Sequence, residues 1–158
     1  MSVEKVRKYL AQWGKEEEVK EFDASSATVE LAALALDTEE KRIAKTLAFA
    51  DGEGAVLVVT AGDAKIDNRL FKETFKMKAK MLDPESLYAL TGYKVGGVCP
   101  FAIPSGVPIY LDESLRRFES VYPACGSANS AIKLGVDELF EISRATSWVD
   151  VCKGWRDA

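Results

Sequence analysis

The stretch Ile43-Ala44-Lys45-Thr46-Leu47-Ala48-Phe49-Ala50, then Asp51-Gly52-Glu53-Gly54, then Ala55-Val56-Leu57-Val58-Val59-Thr60-Ala61, decides the fold. Two β-prone apolar runs flank an aspartate–glycine step, a hairpin signal because glycine adopts the backbone angles of a tight turn without steric cost. Val56 to Val59 shows no polar alternation, so the second run reads as a central strand covered on both faces. The first run contains an anomaly. Period two puts Lys45 on the face of Ile43, Leu47 and Phe49, with Ala44, Thr46, Ala48 and Ala50 opposite. An ammonium among large apolar side chains either snorkels out at a strand end or meets an anionic or polar ligand.

Working outward, Val3, Val6, Leu10 and Trp13 fall at helical spacing, with Ser2 as a candidate cap and Gly14 as the stop. Val19 to Phe22 reads as a short strand. A second helix, rich in alanine and leucine, starts at Thr28, with Ser26 or Thr28 as its cap. Asp67 to Phe75 is a basic amphipathic helix with Ile66, Leu70 and Phe75 on its inner side. Met77 to Leu82 reads as a strand, and Asp83-Pro84 opens a helix through Leu90 with proline at its first position. Seven glycines and prolines between Gly92 and Pro108 preclude long regular elements there. Pro108 to Leu111, Phe118 to Pro123 and Ser130 to Leu134 read as strands, and Asp137 to Ile142 as a closing helix. The expectation is one α/β (α+β) domain spanning residues 1–158, with a mixed central sheet of about six or seven strands.

Composition excludes several classes of chemistry. The 158 residues contain no histidine, which removes the usual general base near neutral pH, the Ser-His-Asp and Cys-His hydrolytic arrangements, and any histidine-ligated metal. Cys99, Cys125 and Cys152 are widely spaced with no CxxC pair, a pattern of free buried thiols rather than a disulfide framework or zinc site. No apolar run reaches the ~18–20 residues of a membrane span, and the charged N-terminal residues do not read as a signal peptide, so a cytoplasmic location is expected. The net charge is −4, yet Lys65, Arg69, Lys72, Lys76, Lys78 and Lys80 face only Asp67 and Glu73 within one short stretch. That local excess of four positive charges suits a phosphate backbone, although a solvated amphipathic helix carries the same pattern.

Two loops draw attention. In Thr91-Gly92-Tyr93-Lys94-Val95-Gly96-Gly97-Val98-Cys99-Pro100-Phe101, paired glycines allow close approach of backbone to a ligand, and the proline stiffens the loop behind them. Such a loop can present preorganised amides to a carbonyl or oxyanion, or can simply be a turn. Cys99 lacks the histidine that would generate a thiolate and is a poor candidate nucleophile. Cys125-Gly126-Ser127-Ala128-Asn129-Ser130 is small and polar between two strands, fit to line a pocket or to form a hairpin turn.

From Ser25 to Ile142 these pieces resemble, in order, the YbaK/EbsC family of prolyl-tRNA-synthetase-associated editing domains. The residues that carry the resemblance are the Thr28-started helix, the strand Ile43-Ala44-Lys45-Thr46-Leu47, and the Gly54–Ala61 strand with Gly62-Asp63 and Asp67. They continue with Thr91-Gly92-Tyr93 followed by Gly96 to Pro100, which is similar to the family's GxxxP loop, and with the Gly126-Ser127 turn. The resemblance implies a free-standing trans-editing hydrolase for the aminoacyl ester of mischarged tRNA, with alanine, cysteine or another small amino acid on a proline tRNA as the substrate class. It implies Lys45, Gly96 and Gly97 as the catalytic core, the lysine holding the terminal nucleotide and the loop backbone holding the carbonyl and amine. Thr28, Thr46, Val98, Cys99 and Pro100 are then expected at the substrate, as are Gly126, Ser127 and Asn129. Lys65, Arg69, Lys72 and Lys76 are expected to meet the tRNA. Aminoacyl-tRNA is the implied partner, with prolyl-tRNA synthetase a candidate second one; neither a metal nor another cofactor is called for. The attacking group would be water or the substrate itself, consistent with a chain that lacks histidine. Where some members carry asparagine after the lysine or histidine near the late glycine turn, this chain has Thr46 and Ser127-Ala128-Asn129. A non-catalytic module that binds tRNA or a synthetase through the same cleft, and a small-molecule binder on the same fold, are the alternatives.

Overall fold

The computed structural model describes residues 2–156. In chain order the helices are α1 (Ser2–Leu10), α2 (Val29–Leu36), α3 (Asn68–Phe75), α4 (Pro84–Thr91) and α5 (Val136–Ser143). The strands are β1 (Lys20–Glu21), β2 (Ile43–Asp51), β3 (Gly54–Ala61), β4 (Lys65–Ile66), β5 (Ile109–Asp112), β6 (Ser120–Pro123), β7 (Ser130–Ala131), β8 (Leu134–Gly135), β9 (Ser147–Val149) and β10 (Cys152–Lys153). Six of them form one mixed sheet in the order β8-β6-β2-β3-β5-β9, while β1 pairs with β7 and β4 with β10. None of the described helices is long and apolar enough to cross a membrane.

The hairpin at the centre forms as its sequence dictates. Asp51 pairs with Gly54 across a two-residue turn, and Gly52 has φ 59° at the first central position. β3 is buried from Ala55 to Ala61, because β2 and β5 flank it and side chains cover both of its faces. Helix ends follow local chemistry as well. Thr28 caps α2 by accepting from the Leu31 amide at 3.2 Å, Asp67 caps α3 through the Arg69 and Leu70 amides, and Asp83 caps α4 with Pro84 at the first position. Ser2 is already inside α1, so it does not cap it.

Two local expectations fail, and two short strands go unforeseen, for one physical reason: strand formation needs a partner that sequence patterning does not name. Met77 to Leu82 is not a strand. It reaches only the far end of β2, through the bridge Phe49–Met81 and two bonds, Ala50 N to Lys80 O at 2.8 Å and Leu82 N to Ala48 O at 3.1 Å. Ser130 to Leu134 is divided, its first two residues pairing with β1 and its last with β6. Beyond the last expected helix, residues 147–149 add a parallel edge strand to β5, and residues 152–153 pair with β4.

The edge of β2 carries the consequence for function. The bonds to residues 80 and 82 show that the amides and carbonyls of the even-numbered residues turn away from β3. On that side Ala44 meets β6, whose register with β2 stops at Ala44–Pro123, while Ala48 and Ala50 meet the 80–82 segment. Thr46 falls in the gap between these two partners.

Candidate functional site

A cavity of about 240 Å³ opens at that gap. Its floor is β2 from Ile43 to Leu47, one wall is Ser26 to Val29 with Ala32 of α2, and the other is Gly96, Val98, Tyr122, Ala124, Ser130 and Ala131. α2 lies over Ile43 through Ala32 and Ala33, which places the start of the helix beside Lys45.

Lys45 is half-buried, and no ion pair among the described residues neutralises it. Burial is the main cause that holds its ammonium below the ordinary lysine pKa; Lys65 adds to this, and Asp63 and Glu30 partly offset it. Asp63 is itself engaged by Arg117 in a two-pronged ion pair with contacts of 2.5 and 3.0 Å. The cation is therefore left with capacity for an anionic or strongly polar guest.

Thr46 is the second unusual feature. Its hydroxyl is buried with no hydrogen-bond partner, and the strand gap leaves its backbone amide and carbonyl without a backbone partner among the described residues. Buried polar groups are rarely left unpaired in folded proteins, and each costs about 1–3 kcal/mol. The hydroxyl bears that cost out of a guest's reach, whereas the amide and carbonyl on the open edge of β2 form a ready donor and acceptor for a ligand in the cavity.

The glycine loop is placed by its flanks. The Thr91 hydroxyl donates to Leu87 O at 2.7 Å and accepts from the Tyr93 amide at 3.1 Å; the Tyr93 hydroxyl donates to Phe101 O across the loop. Tyr93 is wholly buried, so Tyr93→Phe leaves a buried carbonyl without its donor and is expected to cost about 1–3 kcal/mol in chemical unfolding. A cost near zero would remove the loop-anchoring role.

The two glycines do different work. Gly96, at φ 90°, lines the cavity, and a Cβ there would stand 3.1 Å from the Ala27 methyl. Gly97 instead packs on the 126–127 backbone, where a Cβ would come within 2.9 Å of Ser127 Cα, and its amide already donates to Lys94 O at 3.0 Å. Among the described residues the amides of Gly96 and Val98 have no such partner, and both residues line the cavity.

The remaining expected site residues divide. Thr28, Thr46 and Val98 line the cavity with Lys45 and Gly96. Gly97, Gly126, Ser127 and Asn129 line a separate groove on the far side of the loop. There Asn129 Nδ2 donates to Phe22 O at 2.9 Å, while the Ser26 amide and hydroxyl both donate to Ala128 O, tying residues 22–28 over the cavity. Cys99 and Pro100 are buried behind the loop. Burial pushes the Cys99 thiol up to about 11, which leaves it uncharged near neutral pH. Lys65, Arg69, Lys72 and Lys76 are exposed, and Arg69 is paired with Glu73 at 3.0 Å. Ser130, at the end of the small polar cluster, does line the cavity, whereas sequence reading missed Ala124 and Ala131, small residues whose only signal is the place to which the sheet brings them.

Known proteins share the sequence pattern and the fold. Residues 23–142 match the family model described as the aminoacyl-tRNA editing domain. A protein of Bacillus subtilis (strain 168), uncharacterized protein YwhH, is 50% identical over 156 residues, covering 98% of this chain and 99% of its own. A crystal structure described as a candidate trans-editing enzyme for prolyl tRNA synthetase superposes with a TM-score of 0.86 at 29% identity, covering 97% of this chain and 98% of that one. The crystal structure of hypothetical protein APE2540 gives a TM-score of 0.79 at 29% identity, covering 92% and 99%.

Proposed function

The chain belongs to the aminoacyl-tRNA editing domain family, and on that premise we propose that it is a deacylase for tRNA esterified with a small, wrong amino acid. One observation carries the reading: a half-buried ammonium, the Thr46 amide and carbonyl left without a strand partner, and the unpaired amides of Gly96 and Val98 border one small cavity. Its volume lies below the ~300–1,000 Å³ of pockets that enclose drug-sized ligands, so it admits an aminoacyl group and leaves the nucleotide at its mouth. Alanine side chains at residues 27, 32, 44, 124 and 131 line it, which favours a small apolar side chain such as that of alanine or cysteine.

In this reading Lys45 holds the terminal nucleotide through its anionic or polar oxygens, while amides of the 96–98 loop and of Thr46 polarise the ester carbonyl. Attack by water, or by the neighbouring ribose hydroxyl, on the carbonyl carbon breaks the ester C–O bond. The ribose oxygen leaves with a proton, and the amino acid departs as its carboxylate when water is the final acceptor. An aminoacyl ester is already activated, so positioning and carbonyl polarisation supply the acceleration without a histidine base. Editing of this kind is useful because a synthetase distinguishes side chains differing by one methylene by only ~1–3 kcal/mol. The resemblance to a structure described in relation to prolyl tRNA synthetase makes proline tRNA the first substrate to examine.

The test is a panel of tRNAs mischarged with alanine, cysteine, serine and threonine. Ester loss faster than in buffer for at least one small amino acid supports the proposal. Binding of tRNA without accelerated loss would replace it with the binding-module reading. Thr46→Val sharpens the assignment. Removing an unpartnered buried hydroxyl while keeping shape is expected to raise stability by about 1 kcal/mol and to leave kcat/KM unchanged, because the site uses the backbone of Thr46. A roughly tenfold loss of kcat/KM would instead place Thr46 Oγ1 at the substrate.

A further inference from the structure

β4 and β10 lie beside Lys45, and their register sets Lys65 directly opposite Lys153 on one face of a two-stranded antiparallel ribbon. Like charges directly opposite across strands are destabilising, with Cβ atoms about 4.5–5.5 Å apart. Both lysines are exposed, and neither has an ion pair among the described residues. The nearby carboxylates are already engaged. Asp63 is held by Arg117, and Asp67 Oδ1 accepts from the Arg69 and Leu70 amides at the start of α3. Two adjacent cations without an ion pair among the described residues, Lys153 feeling only the nearby charge of Asp67, stand next to a cavity whose own cation is half-buried and form a receptor for a single phosphodiester.

We propose that Lys65 and Lys153 together clamp one backbone phosphate of the single-stranded 3′ end of the RNA, on the nucleotide that precedes the one anchored at Lys45. This rests on the deacylase reading and adds a residue from the C-terminal segment, outside the family-matched residues 23–142. The clamp sets how far the strand enters: with the phosphate held on the ribbon, the terminal ester reaches the floor at Thr46. The two lysines are positioning residues and take no part in ester cleavage. Lys72 and Lys76, farther along α3, continue the positive face outward along the same strand.

The experiment measures binding of a proline tRNA carrying a non-hydrolysable 3′-alanyl amide as a function of salt. It compares the wild type with Lys153→Gln, Lys65→Gln and Lys133→Gln, the last an exposed lysine elsewhere on the surface. Each clamp variant is expected to weaken binding several-fold at low salt and to reduce the slope of log K against log salt by about 0.7, the contribution of one single-strand phosphate contact. Lys133→Gln retains the wild-type slope. Replacing the phosphate of the penultimate nucleotide with a neutral methylphosphonate is expected to erase the difference between wild type and Lys153→Gln. Lys153→Arg keeps the charge and the slope, which separates lost binding from damage to the ribbon. An unchanged slope in Lys153→Gln, with a wild type that binds and deacylates, overturns the clamp alone. A wild type that neither binds nor deacylates any charged tRNA overturns the functional reading, and the clamp with it.

Discussion

Replacing Lys45 with alanine is expected to lower kcat/KM for the mischarged tRNA by about 100-fold or more while leaving the protein folded. The magnitude follows from positioning. Where catalysis depends on placement, a shift of about 1 Å at the reacting group costs about 100-fold, and Lys45 is the only cation lining the cavity among the described residues. The fold survives because the ammonium is a burden to the unliganded protein: burial depresses its pKa, so its charged form is less stable in the folded chain than in the unfolded one. The sign for stability follows. With the folded-state pKa below the ordinary 10.5, the unfolded chain binds more protons in the interval between them, and wild-type stability rises with pH through that interval. Lys45→Ala lacks this rise, so any stability difference in its favour at pH 7 shrinks as pH climbs toward 10.5. Unchanged deacylation by the variant would end the assignment of the site.

Gly97→Ala carries the second large effect. The new methyl group would lie 2.9 Å from Ser127 Cα, 3.0 Å from Ser127 N and 3.1 Å from Gly126 C, all backbone atoms of a segment held by its own bonds to residues 22–28. The loops must separate, and overpacking of this kind costs about 1–3 kcal/mol. For a chain of this size the unfolding midpoint falls by about 2–4 °C for each kcal/mol. Because Gly96 and Val98 move with Gly97, turnover is expected to fall as well. Thermal unfolding with a midpoint equal to wild type would show that the loops do not bear on each other. The contrast with Gly96→Ala is informative: that substitution meets a side-chain methyl of Ala27 and acts mainly on the cavity, at a residue whose φ of 90° already disfavours a side chain.

The comparison of these two glycines illustrates what a sequence conceals. Both stand in the same short motif, and the pattern suggests one shared task, presenting backbone to a ligand. Only the neighbouring 126–127 segment, about 30 residues away in the chain, reveals that the second glycine is required for packing and that its amide is already bonded. Cys99 and Pro100 belong to the same case: the motif draws the eye to them, and the fold seats them behind the loop. The small polar turn at 127–130 likewise serves largely to tether residues 22–28, a task that depends on a segment it meets only after folding.

What the sequence determined by itself is local. The β2–β3 hairpin follows from two apolar runs around an aspartate–glycine step, and the starts of α2, α3 and α4 follow from Thr28, Asp67 and Asp83-Pro84, because turns and caps are satisfied by groups a few residues apart. The oddity of Lys45 was also legible, since side-chain alternation is a property of the strand alone. The tertiary structure decided everything that depends on a distant partner. It split residues 130–134 between two sheets, denied 77–82 a strand, and brought Lys153 opposite Lys65. Above all it ended the pairing of β6 with β2 at Ala44 and resumed β2's contacts at Ala48, which leaves Thr46 unpaired beside Lys45. A gap in a ladder is a property of two edges and of the segment that fails to reach between them, so no reading of β2 alone contains it.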